Sequence, residues 1–499
     1  MTVLENNPIA WKRRFNILVA CLAVPLISAC KPESAPKSAP RSTEGGPIAS
    51  TNEPTPIADQ YSDVANRIIE ATLARNDAYE KMRQICDGIG HRLSGSPQLA
   101  RAIEWAADSM KADGQENVRT EPVMVPKWVR GREAAVMIAP REYDLHMLGL
   151  GMSVGTPPEG LTASVVSVRD EEEFEALGES VRGKIVLFNN LMPEYDPERG
   201  AGYGTAVRFR SRGPSMASRR GAVACFVRSV TARSLRSPHT GATRYEEGTT
   251  PIPAAAISTE DADMISRLTA AGEDVRVLLK MEARDEGMSP SANVVGELRG
   301  RELPDEVLVI GGHIDSWDTG HGAHDDAGGC VVAMEAINVL RKLNLRPRRT
   351  IRVVLWTNEE NGLAGGRQYA IDHANELPNH VGAIEMDSGV FTPHGLGVDC
   401  SDESRRAKAA AQLRDILSLL ARFGPMRATE GGGGADIGPM KPAGVLLMGF
   451  DVAGDRYFDY HHSHADTLDK VDPRDLSECV AAMATISYII ADMPQRLGE

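Results

Sequence analysis

The stretch that decides the fold is GGHIDSWDTGHGAHDDAGG, residues 311–329. His313 follows the apolar run EVLVIGG (306–312), which reads as a strand, and a glycine-rich turn follows it. Asp325 and Asp326 then open a segment carrying Cys330, Val331 and Met334 on one helical face. Strand, polar turn and helix repeat outward from there. RTIRVVLW (349–356), VGAIEMD (381–387) and GVLLMGF (444–450) read as further strands, with helices starting near Asp326, Leu363 and Ser401. Such alternation predicts an α/β fold: a mixed, mostly parallel sheet flanked by helices, whose ligands gather at the carboxyl ends of its strands.

The polar residues fall at those ends. Besides His313, Asp325 and Asp326, LWTNEENG (355–362) brings Glu359 and Glu360, EMDSG (385–389) brings Asp387, and YHHSHADT (460–467) brings His461, His462 and His464. Asp315, two residues past His313, is placed to orient its imidazole. So many carboxylates cannot meet unneutralised, and mixed carboxylate and imidazole donors suit a divalent cation. Two zinc ions sharing one carboxylate would satisfy the set. The absence of cysteine ligands argues against a closed structural zinc site.

In order and approximate spacing, these four segments resemble the co-catalytic di-zinc exopeptidase family. The resemblance implies that His313 and Asp387 hold one zinc, Glu360 and His462 the other, and that Asp325 bridges them. It also implies that Glu359 is the general base. His462 is selected because the family ligand stands four residues before the Asp of an Asp-Thr pair, here Asp466-Thr467. Many relatives have tyrosine just before that ligand; here it is His461, read either as an oxyanion partner or as a buried neighbour pointing elsewhere. His321, His324 and His464 read as cleft-lining or surface residues. The implied activity is hydrolysis of short peptides or dipeptides by metal-activated water, at either terminus, with manganese or cobalt as alternatives to zinc. A related amidohydrolase or cyclase, or a receptor-like binding protein on the same scaffold, are the competing readings.

Between these elements and an opening set of helices, residues 145–283 have another texture. Short strand-like runs (ASVVSV, GKIVLF, AVACFV, PAAAIS, VRVLLK) alternate with Gly/Pro turns. This predicts an inserted β-rich domain, and GKIVLFNN, YGTAVRFRSRG, GAVACFVRSVT, SPHTGATRYEEG and IPAAAIS resemble a protease-associated domain. Its Arg/Ser/Gly-rich part, 202–245, reads as a solvated loop-rich surface, with a lid over the cleft as the other reading. The catalytic domain is then 61–144 with 284–499. GGGGADIGPM (431–440) is either a close-approach loop at the cleft or a plain flexible one. Its Asp436 would bind a substrate amine or cap a turn.

At the amino end, Lys12, Arg13 and Arg14 precede an apolar run from Phe15 to Ile27, too short to cross a bilayer. Ile27-Ser28-Ala29-Cys30 matches a lipobox. The expectation is a lipoprotein signal peptide over 1–29, lipidation at Cys30, and a Pro/Ser/Gly-rich disordered tether over 30–60. The protein would be exported and lipid-anchored, on the outer membrane facing the periplasm, or secreted. The net charge of −14 argues against nucleic acid as a partner. Short peptides are the expected partners, the membrane is met only through the anchor, and a homodimer is left open. Seven scattered cysteines with no CxxC pair make neither a disulfide framework nor a cysteine zinc module.

Overall fold

The computed structural model describes residues 56–499 apart from Glu198. The signal peptide, Cys30 and most of the tether lie outside the described residues. The tether's expected end at 60 is corrected, because the helix Ile57–Ala74 starts inside it. Pro56 offers that helix no side-chain cap; the amides of Ile57 and Ala58 donate instead to Asp415 Oδ2, at 2.7 and 3.3 Å. A partner 357 residues away cannot be read from local sequence. Further on, Ser96 accepts from the Leu99 amide and Pro97 takes the first turn of Pro97–Ala112.

The main sheet has eight strands. Its centre is parallel, in the order Arg349–Trp356, Leu303–His313, His380–Glu385, Leu447–Val452. Alternate residues of these strands enter two separate cores. Leu308, Ile310, Ile351 and Val353 face the helices Gly328–Lys342 and Pro473–Asp492, while Val307, Val309, Val354 and Trp356 face the side of Tyr369 and Ile437. Both faces are covered, as a parallel sheet requires. Beyond Arg349–Trp356 the sheet turns antiparallel through Arg284–Leu298 and the edge strand Glu116–Val129. Glu116–Val129 mixes exposed and half-buried positions along most of its length, so it shows no clean apolar alternation.

A second eight-stranded sheet is built from residues 133–281. Its first strand, Glu133–Ala139, pairs antiparallel with Arg276–Met281, so the unit begins before the expected boundary at 145. Only Ala135 and Met137 of that strand are buried, too little pattern to announce it. The unit is not purely β-rich. Ile185–Phe188, Ala224–Arg228 and Ala254–Ile257 run parallel, and helices Arg208–Arg219 and Thr259–Ala270 pack beside them. Arg208–Arg219 lies in the segment expected to be loop, because Gly213 and Pro214 interrupt its pattern. A Cβ on Gly213 would stand 3.0 Å from the Phe188 ring, so the glycine lets the helix press onto the sheet. Among the described residues, no helix is long and apolar enough to cross a membrane.

Candidate metal centre

His313 ends the central strand Leu303–His313, and Asp387 lies two residues past the end of its neighbour His380–Glu385. Glu359 and Glu360 follow Arg349–Trp356 through a turn in which Asn358 has a positive φ of 68°. His461 and His462 come from the segment after Leu447–Val452. All four chain segments therefore meet at one edge of the parallel sheet, as its geometry demands.

Asp325 stands between two sets of donors. Its Oδ1 is 3.1 Å from His313 Nε2, which is 3.4 Å from Asp387 Oδ1. Its Oδ2 is 3.1 Å from His462 Nε2, which is 3.0 Å from Glu360 Oε2. Tetrahedral zinc with ligands at about 2.0–2.2 Å needs donors roughly 3.3 Å apart. The separations fit. Asp325 Oδ2 and Asp387 Oδ1 are buried and make no hydrogen bond of proper geometry, which leaves their lone pairs free for a cation. The donor set therefore fits divalent metal at two neighbouring positions.

The electrostatics show the same crowding. Burial alone would push the His313 ring down, but Asp387 and Asp325 outweigh it and hold it well above the ordinary imidazole value. Burial would raise Asp325, yet the imidazoles of His313 and His462 keep it well below its usual range. Glu360 is pushed up to about 7 by burial and by Asp325, and burial with Asp387 nearby lifts Glu359 well above an ordinary carboxyl. Protons on the imidazoles here stand where cations would neutralise the acids.

Neighbouring residues have roles the expectations did not all anticipate. Asp326 points away from the donors: Oδ2 accepts from the His313 amide at 3.1 Å and Oδ1 from the Gly329 amide at 2.8 Å. A Cβ on Gly312 would come within 2.1 Å of that carboxylate, so only glycine fits. Asp315 does not orient the His313 ring through its carboxylate. His313 Nδ1 meets the Asp315 carbonyl at 3.1 Å, while Asp315 Oδ1 accepts from the Glu359 amide at 3.1 Å. Asp466 holds the other side, accepting from the amides of His324 at 2.7 Å and Asp325 at 3.2 Å.

His461 stacks on His462 with ring centres 3.5 Å apart, and its Nε2 is 3.8 Å from Asp325 Oδ2. It is thus beside the second donor set and within reach of the same ion. His324 is buried between Phe391 and Tyr460, and His464 is exposed. Asp436 is fully buried with neither oxygen hydrogen-bonded, and it lies outside the lining of the cleft, which removes the amine-binding reading.

A cavity of about 1020 Å³ opens onto Asp325, Glu359, Glu360, Asp387, His461 and His462. The reading of 202–245 as solvated surface is corrected here. Tyr203, Arg210 and Arg244 line this cavity, and Tyr203 meets the His461 ring edge-on at 5.4 Å. Tyr457, one helical turn before His461, is a further lining residue absent from the sequence reading; burial and then Asp325 and Asp387 raise its hydroxyl pKa. No motif distinguished it from a core tyrosine.

The family model "Peptidase family M28" matches residues 293–487, the span holding every donor described. Carboxypeptidase Q of Bos taurus is 41% identical over 442 residues, 88% of this chain and 90% of the relative. The crystal structure of a peptidase M28 precursor from Shewanella amazonensis superposes with a TM-score of 0.83 at 34% identity, covering 88% of this chain and 98% of that one. A zinc aminopeptidase from Bacillus subtilis shares the fold at 19% identity and TM-score 0.59, covering 84% and 96%. With donors, fold and relatives in agreement, the chain belongs to peptidase family M28 and is a zinc-dependent metallopeptidase.

Proposed function

We propose that this protein is a di-zinc exopeptidase acting on short peptides, with His313 and Asp387 at one ion, Glu360 and His462 at the other, and Asp325 between them. The observation that supports it most is the Asp325 carboxylate, which turns one oxygen to each imidazole, both at 3.1 Å. Bound zinc would supply Lewis acidity and a water of lowered pKa. Glu359, lining the cavity, takes the proton of the attacking water and delivers it to the leaving amine; its raised pKa suits both acts. His461 offers an imidazole N–H toward the scissile carbonyl oxygen. The relatives named carboxypeptidase Q favour reading of the carboxyl end. Residues 133–281 correspond, on this proposal, to a protease-associated domain, and the Lys12–Cys30 segment directs export and lipid anchoring.

The test is a panel of dipeptides with free and blocked termini, given to protein stripped by chelator and reloaded with zinc. Zinc-dependent hydrolysis is expected. Glu359→Gln should keep its zinc and lose at least ~10²-fold in kcat, and Asp325→Asn should lose zinc. Failure of the two-zinc protein to cleave any peptide would defeat the proposal.

A further inference from the structure

The second sheet's unit does more than border the cleft. Its segment His239–Thr240 is laid directly against His461–His462, more than 220 residues on in the chain. The Thr240 amide donates to the His462 carbonyl at 2.9 Å. In return His462 Nδ1 meets the Thr240 carbonyl at 3.2 Å. A carbonyl only accepts, so a proton sits on Nδ1, and Nε2, facing Asp325 and Glu360, is the nitrogen a metal ion would take in place of a proton.

Two buried side chains hold that strap. Arg210, on the helix Arg208–Arg219, donates to the Thr240 carbonyl at 3.3 Å and to Tyr203 Oη at 2.6 Å. Its NH1 also lies 3.3 Å from His462 Nδ1, in contact with the ring. His239 donates through Nδ1 to the His461 carbonyl at 2.6 Å, and its own amide is held by Ser229 Oγ at 2.9 Å. Arg210 is 7%, His239 1% and Thr240 0% exposed, so these contacts exclude water. His462 also has a positive φ of 60°, a conformation a β-carbon-bearing residue keeps only when its surroundings enforce it.

We infer that the unit formed by residues 133–281 is a working part of the metal centre, in which Thr240, backed by Arg210 and His239, fixes the tautomer and aim of His462 and thereby sets occupancy of the zinc position that His462 serves. Arg210 and His239 are positioning residues: neither touches the donors' metal-facing atoms. The inference rests on the two-zinc reading of the site. Orienting partners of this kind typically contribute ~10–100-fold to metal affinity.

The test measures zinc per chain against buffered free zinc, for the full-length protein and for Arg210→Met, His239→Ala and His239→Asn, with folding checked by circular dichroism. Arg210→Met and His239→Ala should weaken one zinc equivalent ~10–100-fold and leave the other unchanged. His239→Asn should restore it, since the asparagine amide N–H takes the place of Nδ1–H. If Arg210→Met does not fold, the alanine and asparagine pair at 239 decides. Two equivalents bound with unaltered affinity in a folded His239→Ala protein would overturn the inference. Fewer than two equivalents in the unaltered protein would instead overturn the two-zinc reading beneath it.

Discussion

Asp315 is bonded to Glu359 rather than to the ring of His313: its Oδ1 accepts from the Glu359 amide at 3.1 Å, while the same oxygen stays 3.8 Å from His313 Nδ1. Its other oxygen takes the Ser94 hydroxyl at 3.3 Å. The carboxylate thus anchors the turn that presents Glu359.

Asp315→Ala should therefore impair proton transfer more than metal binding. The expected result is a fall in kcat of about 10-fold or more with both zinc equivalents retained, by analogy with other orienting partners. Loss of one zinc with the residual kcat per zinc unchanged would place Asp315 behind His313 instead.

Tyr457 and His461 face the same cavity from one turn of chain. If either donates to the developing oxyanion, its removal costs about 10²-fold in kcat with little change in KM. Tyr457→Phe and His461→Phe measured side by side assign the donor: the larger kcat loss at full zinc content identifies it. A His461→Phe protein that loses zinc would make His461 a ligand, a role its 3.8 Å approach to Asp325 Oδ2 also permits.

His380 gives a pH dependence separate from the metal site. Burial, with the Arg352 cation nearby, lowers it to about 4. Its Nδ1 faces the Glu376 carbonyl at 3.1 Å and its Nε2 meets Tyr369 Oη at 3.0 Å, an arrangement for the neutral ring. The unfolded chain takes up this proton below pH ~6.5, the folded one only near 4, so the contribution is present above 6.5 and lost as pH falls. At ~1.4 kcal/mol per unit, about 2 kcal/mol disappears between pH 6.5 and pH 5. Unfolding free energies from urea titration of the unaltered protein and His380→Gln should converge by that amount over this range. A gap independent of pH would show that His380 takes up its proton equally readily in the folded and the unfolded chain.

Much of the site was legible because its chemistry is local. His313, Glu359, Glu360 and Asp387 stand at or just past strand ends, marked by apolar runs of a few residues, while Asp325 and His462 lie ten or more residues beyond theirs and were picked out by the family resemblance. Helix Ile57–Ala74 and strand Glu133–Ala139 were placed imperfectly because the groups that set their limits, Asp415 and Arg276–Met281, are distant in sequence.

The amino-acid order by itself determined the α/β alternation, the donor types and the end of the sheet at which they emerge, since side-chain period and turn chemistry act between near neighbours. Only the tertiary structure decided what surrounds those donors: Asp315 beneath Glu359, Asp466 behind Asp325, and Thr240 with Arg210 against His462. Asp315 and Glu359 are 44 positions apart, Asp325 and Asp466 141, and Thr240 and His462 222. The first two pairings need the loops of the main sheet assembled, the last needs the second sheet's unit packed against them, and no local pattern encodes any of them.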